Sequence, residues 1–316
     1  MGVAEIELLQ VYRFGFPGTD CSVRTGLTSM HEDNLKRSYW AMAIAIRRLR
    51  WRINAGAHLA QRPDGLGGDR VDHRNFMILT HPRSGSTLLA DGLNSLLSVV
   101  SYGELFTPNY VDYMAPGYRD TQVMRYLRRK IPARFLAEFV YGPYAEHIKA
   151  VGFKLFPEHF DYKPDFLPGR RWLLENPELM VLRLVRRNLL KYYVSLELAR
   201  RTKVWRIREP GAKNPEATIL LDPEKAEHEF IQRSSRDEAY RTLFAKHRIL
   251  DLTYEDLELD PAGCFRRVLA FLGLEPQPVK IGLHKQESRA LPEIIENYDE
   301  LRRRWKGTRW ETFLDD

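Results

Sequence analysis

The chain has 316 residues, of which 44% are hydrophobic and 29% are charged, and its formal net charge is +7. This balance excludes a disordered chain, and the positive charge suits an anionic ligand such as a nucleotide, an acidic glycan or a membrane surface. The only two cysteines, Cys21 and Cys264, are far apart in sequence, which argues against a disulfide framework and a zinc site. The sequence contains no run of about 18 apolar residues, so no membrane-spanning helix is predicted. We therefore expect a cytoplasmic protein.

Two segments precede the main domain. Residues 1–34 lack periodicity and are predicted to be poorly ordered. Residues 35–73 hold a basic amphipathic helix over 35–62, followed by a linker rich in Gly and Asp. This helix could contact an anionic membrane peripherally or pack on the protein's own surface, and the sequence leaves both open. Residues 74–316 are predicted to form one domain.

From residue 74 onwards, apolar runs of strand length alternate with helix-length patterns. Strands are predicted at Phe76–Thr80, Val151–Phe156, Met180–Val185 and Ile249–Thr253, with a further strand just before Glu104. Helices are predicted at Thr87–Leu97, Leu189–Arg201, Pro223–His247 and Pro261–Leu272. The alternation predicts an α/β fold, a three-layer sandwich with a central parallel sheet. The polar segment Arg201–Thr218 is predicted to be a mobile loop near the ligand.

The turn after the first strand has the composition of an anion cradle. It reads Arg83-Ser84-Gly85-Ser86-Thr87 and opens a helix, whose N-terminus presents unpaired N–H groups. Gly85 permits close backbone approach, and Arg83 adds forked donors. The nucleotide-hydrolase pattern G-x-x-x-x-G-K-[ST] is not met, because Thr80 replaces its first glycine and Ser86 its lysine. We predict an anion other than ATP or GTP; taken alone, the segment also fits an ordinary capped turn.

Four more segments follow the cradle in order. They are Ser101–Glu104, Gly152–Lys154, Arg186–Ser195 and Tyr254–Leu257. Together with the cradle, they resemble the sulfotransferases that use 3′-phosphoadenosine 5′-phosphosulfate (PAPS), and the resemblance covers roughly residues 74–314. Because PAPS carries charge at its 5′ and 3′ ends, a protein needs two anion sites for it. The two strand-to-helix turns at Arg83–Thr87 and Arg187–Ser195 provide two such sites.

The resemblance implies a P-loop-like fold and a role for ten residues in binding PAPS as co-substrate. The cradle would hold the 5′-phosphosulfate, Arg187 and Ser195 the 3′-phosphate, and Tyr254 would lie near the adenosine. Lys306 and Gly307 resemble a shortened form of the family's C-terminal loop. The implied set is Arg83, Ser84, Gly85, Ser86, Thr87, Arg187, Ser195, Tyr254, Lys306 and Gly307. Whether Arg186 or Arg187 holds the 3′-phosphate stays open.

Three residues are the catalytic candidates. The placement of Glu104 resembles that of the catalytic glutamate in carbohydrate and tyrosine sulfotransferases, which makes it a preferred base over His81 and His159. Arg83 and Lys154 would neutralise the charge that builds on the leaving oxygen, with Lys306 as a further candidate, and no metal is needed.

The acceptor is expected to be a hydroxyl of a carbohydrate or glycolipid, with protein tyrosine as the alternative and no nucleic acid partner. Two other classes remain open at this point. A nucleotide kinase of related fold would need the missing lysine of the phosphate loop. A non-enzymatic membrane- or glycan-binding protein would use residues 35–62 and the loop that begins at Arg201.

Overall fold

The computed structural model describes residues 73–107, 122–142, 144–161, 164–205, 217–282 and 289–315. The predictions for residues 1–34, for the basic helix over 35–62 and for the linker up to residue 72 lie outside these residues, as does the greater part of the predicted Arg201–Thr218 loop. The domain boundaries therefore stay predictions.

The described strands form one parallel sheet, which confirms the predicted fold class. Its five strands lie in the order β2-β3-β1-β4-β5. They are β1 (Arg74–Thr80), β2 (Val99–Glu104), β3 (Ala150–Leu155), β4 (Met180–Val185) and β5 (Ile249–Thr253). Every neighbouring pair is parallel, so each strand connects to the next by a crossover that includes helices.

Helices form most of the described connections between the strands and most of the segment that follows β5. They are α1 (Ser86–Asn94), α2 (Gln122–Lys130), α3 (Pro132–Arg134), α4 (Glu158–Asp161), α5 (Leu167–Leu174), α6 (Leu189–Thr202), α7 (Pro223–Leu243), α8 (Tyr254–Leu259), α9 (Pro261–Phe271), α10 (Leu291–Ile294) and α11 (Tyr298–Trp305). A π-helical turn, Phe135–Val140, continues α3, and 3₁₀ turns lie at Pro164–Phe166 and Glu311–Phe313. In the described part of the chain, no helix has an apolar run that could span a bilayer.

Two helices end earlier than their sequence patterns predict. The first stops at Asn94 rather than Leu97, because the Asn94 amide exchanges two hydrogen bonds, at 2.7 and 2.8 Å, with the backbone of Ser101. The helix predicted to reach His247 ends at Leu243, and the His247 imidazole contacts the Leu173 carbonyl at 3.0 Å. Both ends are fixed by contacts with another element, which a local pattern does not contain.

Apolar residues on the two sheet faces pack against different elements. Phe76 and Ile78 of β1 belong to one buried cluster with Leu89 of α1 and Phe265 of α9. On the other face, the Phe153 ring lies 5.8 Å from the ring of Phe106. Since side chains alternate along a strand, this arrangement gives the three layers that the sequence predicts.

A separate apolar cluster joins α6, α7 and α11. Its centre is Phe230 of α7, whose ring lies 5.8 Å from the ring of Trp305. The parallel sheet and this cluster fix the position of α6 and α7 relative to the strand ends. All strands end at the same edge, so Glu104 of β2, Lys154 of β3, the turn after β1 and the turn after β4 lie next to one another along that edge.

Candidate active site at the carboxyl edge of the sheet

The turn between β1 and α1 has the backbone of an anion cradle. Arg83 and Gly85 both have left-handed conformations, with φ of 62° and 80°. This conformation is strained for Arg83, and such strain is concentrated at functional sites. No side chain caps the start of α1, although the hydroxyl-bearing residues Ser84 and Ser86 are buried there. The first N–H groups of the helix are therefore oriented toward a space bordered by hydroxyls.

Gly85 is required by close packing as well as by its φ angle. A Cβ atom at this position would lie 2.6 Å from Cδ2 of Tyr254, at the start of α8. The guanidinium of Arg186 stacks on the Tyr254 ring, 4.4 Å from the ring centroid. Arg186 also donates from Nη1 to the Arg83 carbonyl at 3.2 Å. The segments around residues 186 and 254 thus form one wall of the cradle.

Arg83 connects the cradle to helix α6. Its Nε donates to Oγ of Ser195 at 2.9 Å, and its Nη1 donates to the carbonyl of Trp205 at 2.9 Å. Burial lowers the pKa of Arg83 to about 10, and the neighbouring charge of Arg186 adds to this, so Arg83 remains a cation at neutral pH. The sequence pairs Ser195 with Arg187, whereas the structure places the Ser195 hydroxyl in contact with Arg83.

Arg187 lies at the exposed start of α6 and is paired with acids of the chain. Its side chain is 63% exposed, and its guanidinium lies 3.3 Å from Asp256 and 3.7 Å from Glu255. The Glu255 carboxylate also accepts the N–H groups of Arg187 and Asn188, at 3.1 and 3.0 Å. Asn188 caps the helix by accepting the N–H of Lys191 at 2.9 Å. The chain's own side chains fill this helix start.

A carboxylate, an ammonium and a hydroxyl form a chain of contacts beside the cradle. Lys154 is fully buried, and its Nζ lies 3.3 Å from Oε1 of Glu104 and 3.2 Å from Oγ1 of Thr87. Glu104 is the last residue of β2, whereas the sequence predicts that it lies just past the end of this strand. The ion pair follows from the strand register, which sets Glu104 opposite Lys154 after a β-bulge. Glu104 and the cradle are thus linked through Lys154.

Sequence reasoning misses Arg233, a residue of α7. Its Nη2 donates to Oγ of Ser84 in the cradle at 2.6 Å, and its guanidinium stacks on the Tyr192 ring at 3.7 Å from the centroid. The signal was present in the helix pattern: the buried positions of α7 are Ala226, Phe230, Arg233 and Tyr240. An arginine therefore occupies a position of the apolar stripe, where a hydrophobic side chain is the rule.

The two histidines near the cradle have structural environments. The ring nitrogens of His81 lie 2.7 Å from Glu158 and 3.1 Å from Asp237. Burial alone would lower the pKa of His81, but the bonds to these two acids outweigh it, and the net shift is upward. Burial lowers the pKa of His159 to about 3, and its ring stacks on Phe156. These surroundings favour Glu104 over either histidine as the base.

Lys306 and Gly307 follow α11. Gly307 has a left-handed φ of 72°, and its N–H donates to Glu311 at 2.7 Å. In the described part of the chain, neither residue hydrogen-bonds to the cradle, so their role in binding PAPS stays a prediction. The described residues also contain no group of His, Cys, Asp and Glu arranged to hold a metal ion.

The arrangement fits a phosphosulfate group. The cradle combines open helix N–H groups, buried hydroxyls, the cation Arg83 and a glycine required by the close Tyr254 ring. A second cation, Arg233, donates to the Ser84 hydroxyl of the cradle. Such a site binds oxyanions and stabilises negative charge that develops on a leaving oxygen. The carboxylate of Glu104 is connected to the cradle through Lys154, which contacts both Glu104 and Thr87, and it can accept a proton.

Known proteins resemble this chain in sequence. A family model described as Stf0 sulphotransferase matches residues 172–300, a range that includes Arg187, Ser195 and Tyr254 and begins after the cradle. Nodulation protein H of Rhizobium tropici is 30% identical over 243 residues, which are 76% of this chain and 92% of the relative. Nodulation protein H of Rhizobium meliloti (strain 1021) is 31% identical over 72% of this chain and 89% of the relative.

Solved structures show a weaker likeness. A sulfotransferase from Alicyclobacillus acidocaldarius is 15% identical, with a TM-score of 0.40, and the match covers 77% of this chain and 96% of that protein.

Proposed function

The chain belongs to the PAPS-dependent sulfotransferases, enzymes that transfer a sulfuryl group to a hydroxylated acceptor, and from this premise we propose that its acceptor is a carbohydrate or glycolipid hydroxyl, activated by Glu104. The observation that carries the proposal is the contact chain from Glu104 through the buried Lys154 to Thr87 of the cradle. It puts a base next to the anion site. Membership in this family favours sulfuryl transfer over a nucleotide kinase or a non-enzymatic binding protein.

The donor roles are proposed from the same geometry. The cradle Arg83–Thr87 takes the 5′-phosphosulfate, because its helix N–H groups and buried hydroxyls are open to an oxyanion. Arg187 is the arginine that meets the 3′-phosphate. Its guanidinium is exposed, whereas that of Arg186 is stacked on Tyr254. Tyr254, which packs against Gly85, is proposed to lie near the adenosine, and Ser195, which accepts from Arg83, is proposed to contact the 3′-phosphate.

PAPS supplies the sulfuryl group, and the side chains of the site position it and neutralise charge. Glu104 Oε1 is held by Lys154, so Oε2 is the atom that takes the proton from the acceptor hydroxyl. The acceptor oxygen then forms its bond to sulfur as the bond from sulfur to the donor's phosphate oxygen breaks, releasing adenosine 3′,5′-bisphosphate (PAP). Arg83 and Lys154 stabilise the charge on that leaving oxygen.

A glutamate base supports a sugar acceptor. The resemblance associates a carboxylate at this position with carbohydrate and tyrosine sulfotransferases, and a histidine with enzymes that act on small phenols. In this chain His81 is engaged with two carboxylates and His159 is buried with a pKa of about 3. Glu104, by contrast, lies 3.3 Å from the buried Lys154 beside the cradle.

Two measurements test the proposed function. Calorimetry should show binding of PAP without added metal and no comparable binding of ATP with Mg²⁺; the reverse preference would contradict the donor assignment. Incubation with labelled PAPS and a cell-envelope extract, followed by mass spectrometry, should show the label on a glycan or glycolipid. Label on tyrosine residues of proteins would overturn the proposed acceptor.

The base role is tested by Glu104→Gln. We expect the rate of sulfuryl transfer to fall by roughly 10²- to 10⁴-fold, the usual contribution of a positioned base, while PAP binding is kept. Glu175→Gln is the matched control, because Glu175 is exposed and pairs with Arg171 on the surface of the protein. Near-normal turnover of the Glu104 variant would remove this residue from the base role.

A further inference from the structure

Arg233 is a buried cation to which the described residues supply no counter-charge. Only 1% of it is exposed; it donates to Ser84, and its guanidinium stacks on the ring of Tyr192, whose hydroxyl also interacts with it. Its Nε and Nη1 atoms are buried and have no hydrogen-bond partner. Among the described residues, no carboxylate lies within ion-pair distance of its guanidinium.

The acids closest along α7 are engaged elsewhere. Glu229, one turn before Arg233, accepts the hydroxyl of Tyr192 at 3.0 Å. Asp237, one turn after it, lies 3.1 Å from Nε2 of His81. Both acids sit at the helical spacing that would allow a salt bridge with Arg233, yet neither forms one. The guanidinium thus faces the cradle with its charge uncompensated.

Burial without a partner is expensive for a guanidinium. A buried charge costs free energy unless it is paired, and two buried nitrogen atoms whose N–H groups have no acceptor add the cost of their lost hydration. An apolar side chain at this stripe position of α7 would avoid both costs. A ligand anion in the cradle would supply the missing counter-charge, since Ser84 belongs to the cradle and already contacts Arg233.

We propose that Arg233 is a binding residue for the 5′-phosphosulfate of the donor, and that it reaches the cradle beside Ser84. The Ser84 hydroxyl accepts a hydrogen from Arg233, so its own hydrogen is available to the same anion. Arg233 thus adds charge to the cradle and fixes the direction of the Ser84 donor. This inference rests on the proposed role of the cradle as the 5′ site.

The test is Arg233→Met, measured with two ligands. PAP carries a 5′-phosphate, whereas adenosine 3′-phosphate lacks it, so comparing them isolates the 5′ end. We expect the Kd of PAP to rise about 100-fold, the scale of lost hydrogen bonds to a charged group, and the Kd of adenosine 3′-phosphate to stay within about twofold. Both are measured by calorimetry and by the ligand-induced shift in melting temperature. Arg241→Met is the control, because Arg241 is an exposed arginine on the same helix.

The unliganded protein gives an independent measurement. Because Arg233→Met removes an unpaired buried charge, its melting temperature without ligand should be equal to or above that of the unaltered protein. Arg233→Lys, which keeps the charge, should bind PAP more tightly than Arg233→Met does. A lower melting temperature together with unchanged PAP affinity would make Arg233 a structural residue and overturn the proposal, as would equal weakening of both ligands. Failure of the unaltered protein to bind PAP would instead overturn the proposed function.

Discussion

Two of the helices that begin at the carboxyl edge of the sheet, α1 and α6, differ in what occupies their N-termini. Helix α1 has no side-chain cap, and its surroundings are hydroxyls and the cations Arg83 and Arg233. Helix α6 is capped by Asn188, and the carboxylate of Glu255 accepts two N–H groups at its start. The sequence predicts an anion site at both turns.

We interpret the start of α1 as the proposed site for a ligand anion, whereas carboxylates of the chain already occupy the start of α6. At α6 the chain's own carboxylates, Glu255 and Asp256, balance Arg187, so an incoming phosphate there competes with them. At α1 no carboxylate of the described residues pairs with the buried Arg233, whose Nε and Nη1 also have no hydrogen-bond partner there. We therefore expect binding free energy to come mainly from the α1 side, and substitutions there to have the larger effects.

After Arg233→Met, the largest effect on PAP affinity is expected from Gly85→Ala, which alters the backbone of the cradle on the α1 side. A left-handed φ of 80° strains any residue with a Cβ, and this Cβ would lie 2.6 Å from the Tyr254 ring. We expect the free energy of unfolding to fall by about 2 kcal/mol and the Kd of PAP to rise roughly 30-fold. Chemical denaturation and calorimetry measure the two quantities.

Gly273→Ala is the matched control for this substitution. Gly273 also has a left-handed φ, 67°, but no atom lies within 4 Å of the added Cβ. It should therefore lose about 1 kcal/mol of stability from the backbone alone and keep its affinity for PAP. Equal losses of affinity in the two variants would show that packing against Tyr254 does not shape the cradle.

A smaller effect is expected from Arg187→Ala on the α6 side. Because this guanidinium is exposed and shared with two acids, its loss should raise the Kd of PAP only about fivefold. The affinity for adenosine 5′-phosphate, which lacks the 3′ group, should not change. Competition binding with both nucleotides measures this, with Arg171→Ala, an exposed arginine paired with Glu175, as control. A loss as large as that of Gly85→Ala would contradict the comparison.

The smallest effect, opposite in sign, is expected from Asp256→Asn. This substitution removes the carboxylate 3.3 Å from Arg187 and leaves the backbone of α8 capped by Thr253. With one competitor removed, the Kd of PAP should fall about twofold, an effect that high salt should erase. A rise in Kd would indicate that Asp256 orients Arg187 for the ligand rather than competing with it.

Local patterns were sufficient for the sheet. Met180–Val185 and Ile249–Thr253 are predicted to the residue, and the strand at Ala150–Leu155 is shifted by one position, because buried parallel strands appear as short apolar runs between breakers. The cradle is also visible locally, since a glycine and hydroxyls between a strand and a helix lie within five consecutive residues. Helix ends were less accurate, as at Asn94, where Ser101 decides the boundary.

The sequence by itself determined the fold class, the family resemblance and the position of the anion turns, because each depends on neighbouring residues or on motif order. Only the tertiary structure decided which charges meet. Arg233 contacts Ser84 across 149 positions of the chain, and Arg83 contacts Ser195 across 112. Pairings of this kind depend on how helices pack over the sheet. This packing places the acids of α8 at the start of α6, whereas among the described residues no carboxylate pairs with the buried cation Arg233 beside α1.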